Sequence, residues 1–160
     1  MTVVFDVGAN IGQTARGLVR YFDSAKLFCF EPASKPFRVL QAKYGSRPNV
    51  LCVNAALGSE VGTRELHVGA ESELNTFVVG SPRRDCLTQT EAVAVDTVDR
   101  FCATHDLPKI DILKMDVQGW ECEVLRGAAQ MIGKNNVHFV VSEVGFFRHD
   151  VDMVQIFRSP

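Results

Sequence analysis

Two acidic residues near the start of the chain stand at the ends of short apolar runs, and a glycine-containing loop lies between them. Asp6 is next to last in the first run, the loop covers residues 8–12, and Glu31 follows the second run. In a parallel α/β sheet, such a loop presents backbone amides to a ligand, and an acid after the next strand binds ribose hydroxyls. The spacing therefore predicts a binding site for a nucleotide-containing cofactor.

The loop residues narrow the choice of cofactor. Gly8 and Gly12 permit positive φ angles, and Asn10 tolerates the left-handed conformation. The spacing does not fit the G-x-G-x-x-G pattern of dinucleotide sites, and the Asp6 carboxylate would repel a pyrophosphate. A ligand with positive charge at this point fits better, and S-adenosylmethionine carries both an amino group and a sulfonium. Glu31 would then accept hydrogen bonds from the two ribose hydroxyls. Glycines at a strand-to-helix turn can also have a purely structural reason.

The elements that must position these residues alternate between strands and helices. This alternation predicts a doubly wound α/β fold with a mostly parallel sheet and helices on both faces. Strands are expected at residues 3–7, 26–30, 50–53, 110–115 and 137–142, and helices at residues 11–21, 35–44, 96–105 and 118–126. A small antiparallel insertion is expected from short apolar segments at residues 63–68, 76–79 and 92–95.

The last expected strand, at residues 137–142, has few residues after it. A complete sheet of this class continues with further strands. We expect these strands to be missing here, either because the protein is a natural minimal version or because the sequence is a fragment. The strand would then form an apolar edge that is open to pairing with another strand. We expect a second copy of the chain to cover this edge, which would give a homodimer.

Composition limits the classes of protein that fit. The chain has 160 residues, of which 46% are apolar and 22% are charged, and this predicts one globular domain over residues 1–160. A net charge of −2 argues against nucleic acid as a partner, and no apolar run is long enough to span a bilayer. Five cysteines without a C-x-x-C pair favour reduced thiols and a cytoplasmic location.

Five ordered motifs resemble those of the FkbM-type S-adenosylmethionine-dependent methyltransferases. They are DVGANIG at residues 6–12, FEP at 30–32, NAALG at 54–58, VDTVD at 95–99, and IDILKMDVQGWE at 110–121 followed by VLRGA at 124–128. The resemblance covers nearly the whole chain. It implies a Rossmann-like fold of the class I methyltransferase type, S-adenosylmethionine as the methyl donor, and a hydroxyl acceptor on a sugar, lipid or natural product. One departure is Gln118, where the family commonly has an acid.

The resemblance also implies which residues hold each part of the cofactor. The methionine end would be held by Asp6, Gly8, Asn10 and Gly12. The ribose would be bound by Glu31, with Pro32 beside it, and the adenine would be bordered by Asn54 and Ala55.

Methyl transfer to a hydroxyl needs an aligned acceptor and a group that takes the hydroxyl proton. Asp116, after the strand at residues 110–115, is our first candidate for the base or acceptor-orienting group. Lys114 lies two residues earlier, on the same face of that strand. Glu143 and Glu121 are second candidates. Asp116 could instead cap the following helix, and Glu121 could complement its dipole.

Other polar and aromatic residues have two interpretations. Trp120 could line an acceptor pocket or pack in the core. Ser72, Asn75 and Thr76 resemble a loop that closes over the cofactor in relatives, but polar turn residues explain them nearly as well.

A metal site is a further alternative. Asp116, Glu143 and His149 could converge on a divalent ion at the strand ends. Metal-ligand spacing such as H-x-x-x-H is absent, and the histidines are scattered, so we predict no metal site.

Two other functions remain open. A non-catalytic cofactor-binding or assembly module would bind S-adenosylhomocysteine tightly without turnover. A nicotinamide-dependent oxidoreductase would bind NADH, which the loop spacing and Asp6 disfavour.

Overall fold

The computed structural model describes residues 1–69, 75–77 and 87–142. Within these ranges the strands are β1 Val3–Val7, β2 Lys26–Phe30, β3 Val50–Val53, β4 Ala56–Leu57, β5 Gly62–Gly69, β6 Leu87–Asp96, β7 Ile110–Met115 and β8 Val137–Ser142. The helices are α1 Gln13–Tyr21, α2 Ser34–Tyr44, α3 Val98–Thr104, α4 Glu121–Arg126 and α5 Ala129–Gly133.

Five strands form one parallel sheet in the order β3-β2-β1-β7-β8. The chain runs outward from β1 through β2 to β3 and later returns to place β7 on the other side of β1. The strand order therefore reverses between β1 and β7, which is where ligands bind in open α/β sheets. All five residues of β1 are buried, as the sequence of a central strand covered on both faces requires.

Two apolar clusters cover the two faces of this sheet. One joins the Phe5 side of β1 to α3, α4 and α5, and includes Phe101, Val124 and Met131. The other joins the Val4 side to α1 and α2, and includes Leu40. Helices thus lie on both faces, and the predicted Rossmann-like, doubly wound α/β fold is confirmed.

A second sheet has the order β4-β6-β5, and β5 and β6 pair in antiparallel fashion. Residues 75–77 lie beside it, because Thr76 and His67 exchange two backbone hydrogen bonds of 3.0 Å. Glu91 of β6 accepts a hydrogen bond of 3.1 Å from the backbone amide of Ser34, which joins the second sheet to the start of α2. The expected antiparallel insertion is therefore present.

Several predicted boundaries were wrong, for identifiable reasons. Helix α1 starts at Gln13 rather than residue 11, since Gly12 has a φ of +89°. Helix α4 starts at Glu121 rather than residue 118, because Gln118 and Gly119 have φ angles of +51° and +94°, which no α-helix accepts. Strand β4 and helix α5 were not predicted. Of the expected strand at 76–79, Thr76 forms an isolated bridge, and residues 78–79 lie outside the described ranges.

Strand β8 lies at one end of the central sheet, as predicted. Phe139 and Val141 are 68% and 53% exposed. In the described ranges, no helix is both long and apolar enough to cross a membrane.

Candidate active site

A cleft of about 370 Å³ opens at the carboxyl ends of β1 and β7, at the point where the strand order reverses. This volume lies within the range of small-molecule sites. Many of its wall residues come from the glycine loop, the segment after β2, the start of β4 and the segment after β7. Of the residues predicted from the sequence, the cleft brings together Gly8, Asn10, Glu31, Pro32, Ala55, Lys114 and Asp116.

The glycine loop is held tightly against the end of β7. A Cβ atom at Gly8 would lie 1.9 Å from the carbonyl oxygen of Asp116, and Gly8 has a φ of +77°. Asp116 in turn donates its backbone N–H to the Val7 carbonyl at 3.0 Å. Only glycine permits this approach, and the approach places Asp116 beside the loop.

Gly12 has a different reason to be glycine. A Cβ atom there would lie 2.3 Å from the Tyr44 ring, and the Tyr44 hydroxyl donates to the Gly12 carbonyl at 3.2 Å. Gly12 does not line the cleft. Gly12 instead packs the start of α1 against the end of α2, and its contact with the cofactor stays a prediction.

Glu31 is 5% exposed and lines the cleft. Its Oε2 accepts from the Asn10 backbone amide at 2.8 Å, and its Oε1 accepts from the Ala33 amide at 2.9 Å. Burial raises the pKa of Glu31 to about 7, although these two amides oppose the shift. Each carboxylate oxygen has a further lone pair, so the side chain can hold the loop and still accept a ligand hydroxyl.

Asp6 lies beneath the cleft rather than in its wall. It is 0% exposed, and its Oδ1 is 2.8 Å from the Lys114 ammonium. Burial raises the pKa of Asp6, and the positive charge of Lys114 only partly opposes this. Lys114, in the cleft wall, is the positive group next to the Asp6 carboxylate, and the direct contact between Asp6 and a cationic ligand stays a prediction.

Asp116 lines the cleft with its side chain 38% exposed. Its Oδ1 accepts from the Gln118 side-chain amide at 3.2 Å. The backbone amides ahead of α4 are bound instead by Glu121, whose Oε1 accepts from Val117 at 3.2 Å and Gly119 at 3.3 Å. The alternative in which Asp116 caps α4 is wrong, and the Asp116 carboxylate faces the cleft.

Two predicted residues lie elsewhere. Asn54 does not line the cleft, since its side-chain amide donates to the carbonyls of Glu31 and Pro32 at 2.9 Å each. Asn54 thus fixes the segment that follows β2. Glu143 lies outside the described residues, as do Ser72 and His149.

One wall of the cleft, next to the second sheet, combines Leu66, Asn75, Phe77 and Trp120. The Phe77 and Trp120 rings are 4.9 Å apart, and the Thr76 hydroxyl donates to the Gln118 carbonyl at 2.8 Å. Sequence reasoning left Trp120 undecided and missed Phe77 and Leu66. The sequence pattern gives little indication of these wall residues, since they come together from segments that are far apart in sequence.

Three buried polar atoms in the cleft-lining residues have no hydrogen-bond partner among the described residues. They are Asn10 Oδ1, Asn75 Nδ2 and Trp120 Nε1. Buried polar atoms are normally satisfied, so these atoms mark positions where a ligand or water completes the site. Together with Glu31, the side chains of Asn10 and Asn75 give the cleft polar groups that can pair with a nucleoside, and these residues fit S-adenosylmethionine. The described residues contain no group of three metal-ligating side chains.

Comparisons with known proteins agree with this geometry. The family described as "Methyltransferase FkbM domain" matches residues 6–159. The chain is 27% identical over 153 residues to a protein named 2-O-methyltransferase NoeI, from Sinorhizobium fredii, with 88% of this chain and 62% of the relative covered. It is also 27% identical over 145 residues to one named hexuronic acid methyltransferase AglP, from Haloferax volcanii, with 89% and 55% covered. The chain thus spans little more than half the length of these relatives, and no solved structure matches it.

Proposed function

Because the chain belongs to the methyltransferase FkbM domain family, we propose that it transfers a methyl group from S-adenosylmethionine to a hydroxyl group of a sugar. The observation that supports this most directly is the cleft at the reversal of strand order, which Glu31, the glycine loop and Asp116 line together. The sugar class rests on the printed names of the relatives, one a 2-O-methyltransferase and the other a hexuronic acid methyltransferase.

The methyl donor would occupy the part of the cleft between the glycine loop and β4. Glu31 would accept hydrogen bonds from the ribose, and Pro32 and Ala55 would border the nucleoside. Gly8 and Asn10 would border the methionine end. When bound, S-adenosylmethionine supplies the methyl group of its sulfonium. The acceptor oxygen gains this methyl group, and the sulfur leaves as a neutral thioether.

Asp116 would be the group that orients the acceptor and takes its proton. Its carboxylate is free of the α4 amides and lies in the cleft beside the loop. A carboxylate within hydrogen-bond reach of a reacting hydroxyl is a suitable general base. Lys114 and Glu143 remain further candidates, and we predict that no metal ion takes part.

Isothermal titration calorimetry with S-adenosylhomocysteine, and NAD as the control ligand, is the first test. We expect micromolar binding of S-adenosylhomocysteine alone, followed by methyl transfer to sugar acceptors in a radiolabelled-methyl screen. Binding without transfer to any acceptor would favour the non-catalytic module. Binding of NAD, or of neither ligand, would contradict the proposed cofactor.

We further propose that residues 1–160 act as one domain, located in the cytoplasm, with no nucleic acid as partner. The homodimer through β8 also remains a prediction, supported by the exposed side chains of Phe139 and Val141 on an end strand. Sedimentation of the purified chain tests it. A single monomeric species at all concentrations would refute the dimer.

A further inference from the structure

Lys114 occupies a defined place between two carboxylates. It is the direct neighbour of Asp6 in the β1–β7 register, so both side chains lie on the same face of the sheet. Its ammonium is 2.8 Å from Asp6 Oδ1, 3.3 Å from the Gly8 carbonyl oxygen and 3.9 Å from Asp116 Oδ2. The Lys114 and Asp116 side chains line the cleft, whereas Asp6 lies behind it.

The hydrogen-bonding capacity of this ammonium is only partly used by the protein. A lysine has three N–H donors. The Gly8 carbonyl oxygen accepts from one of them at 3.3 Å, and the Asp6 carboxylate lies 2.8 Å from the ammonium as its ion-pair partner. At least one donor therefore remains for an oxygen in the cleft. Asp6 and the Gly8 carbonyl fix where that donor can point.

The Lys114 ammonium and the Asp116 carboxylate are spaced so that one oxygen lying beside them can reach both. Their charged atoms are 3.9 Å apart, so the two groups do not form a close hydrogen bond. A hydroxyl oxygen can lie at hydrogen-bond distance from both, because it accepts from one partner and donates its hydrogen to the other.

We propose that Asp6 positions the Lys114 ammonium so that Lys114 and Asp116 together bind one acceptor hydroxyl, Lys114 donating to its oxygen and Asp116 accepting its hydrogen. Lys114 is then a catalytic residue, and Asp6 is a positioning residue that never contacts the substrate. This inference rests on the proposed function. It deepens that function by naming the residues that bind the acceptor hydroxyl in the cleft.

Charged groups near the pair support this division of roles. Glu31 and Asp6 also carry carboxylates, on the side of the site proposed for the methyl donor. The Glu31 oxygens accept hydrogen bonds from the amides of Asn10 and Ala33. The Glu121 carboxylate binds the amides of Val117 and Gly119. Among the described residues, the carboxylates within 4 Å of the Lys114 ammonium are those of Asp6 and Asp116, and of these two only Asp116 lines the cleft.

The test uses the full chain with four variants. They are Asp6→Asn, Lys114→Met, the double variant Asp6→Asn/Lys114→Met, and a control pair, Asp111→Asn/Lys109→Met, from the opposite end of β7. The double variant removes both buried charges, so it avoids the unpaired charge that each single variant leaves.

Thermal melting, affinity for S-adenosylhomocysteine and methyl-transfer kinetics are measured for each variant. We expect Asp6→Asn to lower kcat at least about tenfold, with little change in affinity, since losing a general acid–base arrangement has effects of this order or larger. We expect the double variant to regain melting temperature relative to Asp6→Asn but not to regain kcat. The control pair should keep both kcat and affinity.

Two outcomes would overturn the inference. A large loss of affinity for S-adenosylhomocysteine in Asp6→Asn, with kcat unchanged, would mean that Asp6 acts on the methyl donor. Recovery of kcat in the double variant would mean that the pair only stabilises the fold.

A separate measurement remains informative if wild type transfers no methyl group. Acylation of Lys114 by an amine-reactive reagent is followed by mass spectrometry, with the exposed Lys134 as internal reference. We expect Asp6→Asn to raise the Lys114 rate relative to Lys134, because the ammonium is no longer held by the carboxylate. Equal relative rates in wild type and variant would refute the positioning role of Asp6, independently of the proposed function.

Discussion

Two lysine–aspartate pairs lie at opposite ends of β7 and behave differently. At the end near the cleft, Lys114 and Asp6 are 2.8 Å apart, with side chains 14% and 0% exposed. At the other end, Lys109 and Asp111 are 2.6 Å apart, with side chains 41% and 18% exposed. The separations are nearly the same, so the pairs differ in burial and in the further partners of Asp111, which also accepts from the Val3 amide and lies beside His138.

Burial reverses the direction of the pKa shift. The hydrogen bond from Lys109 is the main cause that lowers the pKa of Asp111, and His138 at 3.1 Å adds to it. Burial raises the pKa of Asp6 despite Lys114, and raises that of Glu31 to about 7. Ion pairs stabilise the outer end of the sheet, whereas burial of the charges at the cleft end costs folding free energy. Charges held at such a cost are expected at functional sites.

The largest expected effect concerns turnover. Asp116→Asn should lower kcat by roughly 10²–10⁴-fold, because the amide cannot take the acceptor proton. Affinity for S-adenosylhomocysteine should change little. Asp111→Asn, on the same strand but far from the cleft, is the matched control and should keep full activity. Equal activity of the two variants would remove Asp116 from the reaction.

The next effect concerns stability. Lys114→Met should destabilise the fold by about 3–5 kcal/mol near neutral pH, because Asp6 is left buried without its partner. Since burial already raises the pKa of Asp6, the carboxyl can take a proton as the pH falls, and the loss should shrink in acid. Lys109→Met should cost less than about 1 kcal/mol. Urea denaturation at several pH values measures both, and a Lys114→Met loss that is independent of pH would contradict this account.

Cofactor affinity is expected to respond to Glu31. Glu31→Ala should weaken binding of S-adenosylhomocysteine by more than about tenfold, since hydrogen bonds to a charged group are worth roughly 1.5–3 kcal/mol. Glu65→Ala removes an exposed acid on β5 and is the control. Calorimetry that finds no change would mean that Glu31 serves only the Asn10 and Ala33 amides. Melting curves of both variants check the fold.

A smaller effect is the pH dependence of stability. The folded-state pKa of Glu31, about 7, is above its ordinary value of 4.5. The ionised form is therefore disfavoured in the fold, and part of the free energy of unfolding is lost as the pH rises between these values. Glu31→Gln should lack this part of the pH dependence. Identical slopes for wild type and variant would show that burial does not control this carboxyl.

The smallest effect is expected for the Lys109–Asp111 pair at the outer end of β7. The pKa of Asp111 is lowered from 3.8, so its contribution to stability is present above that value and is lost as the pH falls below it. Asp111→Asn should destabilise the chain by at most about 1 kcal/mol at neutral pH. The difference should disappear in strong acid, as followed by urea denaturation. A loss as large as that of Lys114→Met would make the two ends of β7 equivalent.

Much of the fold could be predicted from local sequence pattern. The five strands of the central sheet have the predicted bounds, because short apolar runs between polar turns define both ends of each strand. Predicted helix boundaries were wrong where one or two backbone angles determine the start of a helix, as at Gln118 and Gly119 ahead of α4. Strand β4 was missed because two residues carry no periodicity.

The site was predictable in outline only. Glu31 and Asp116 line the cleft, because the carboxyl ends of parallel strands lie on one edge of the sheet. Asn54 and Gly12 look equivalent to their neighbours in the motifs, yet their contacts are with carbonyls and a tyrosine ring. No sequence pattern distinguishes such roles, since they depend on which segment packs alongside.

The sequence by itself determined the order of strands and helices, the glycine loop and the acids at the strand ends, because these follow from hydrophobic period and local backbone preference. Only the tertiary structure decided that Asp6 lies behind the cleft and Lys114 within it. The two residues are far apart in the chain and become neighbours through the β1–β7 register. Burial then sets the electrostatics of each carboxylate, and burial is a property of the packed molecule.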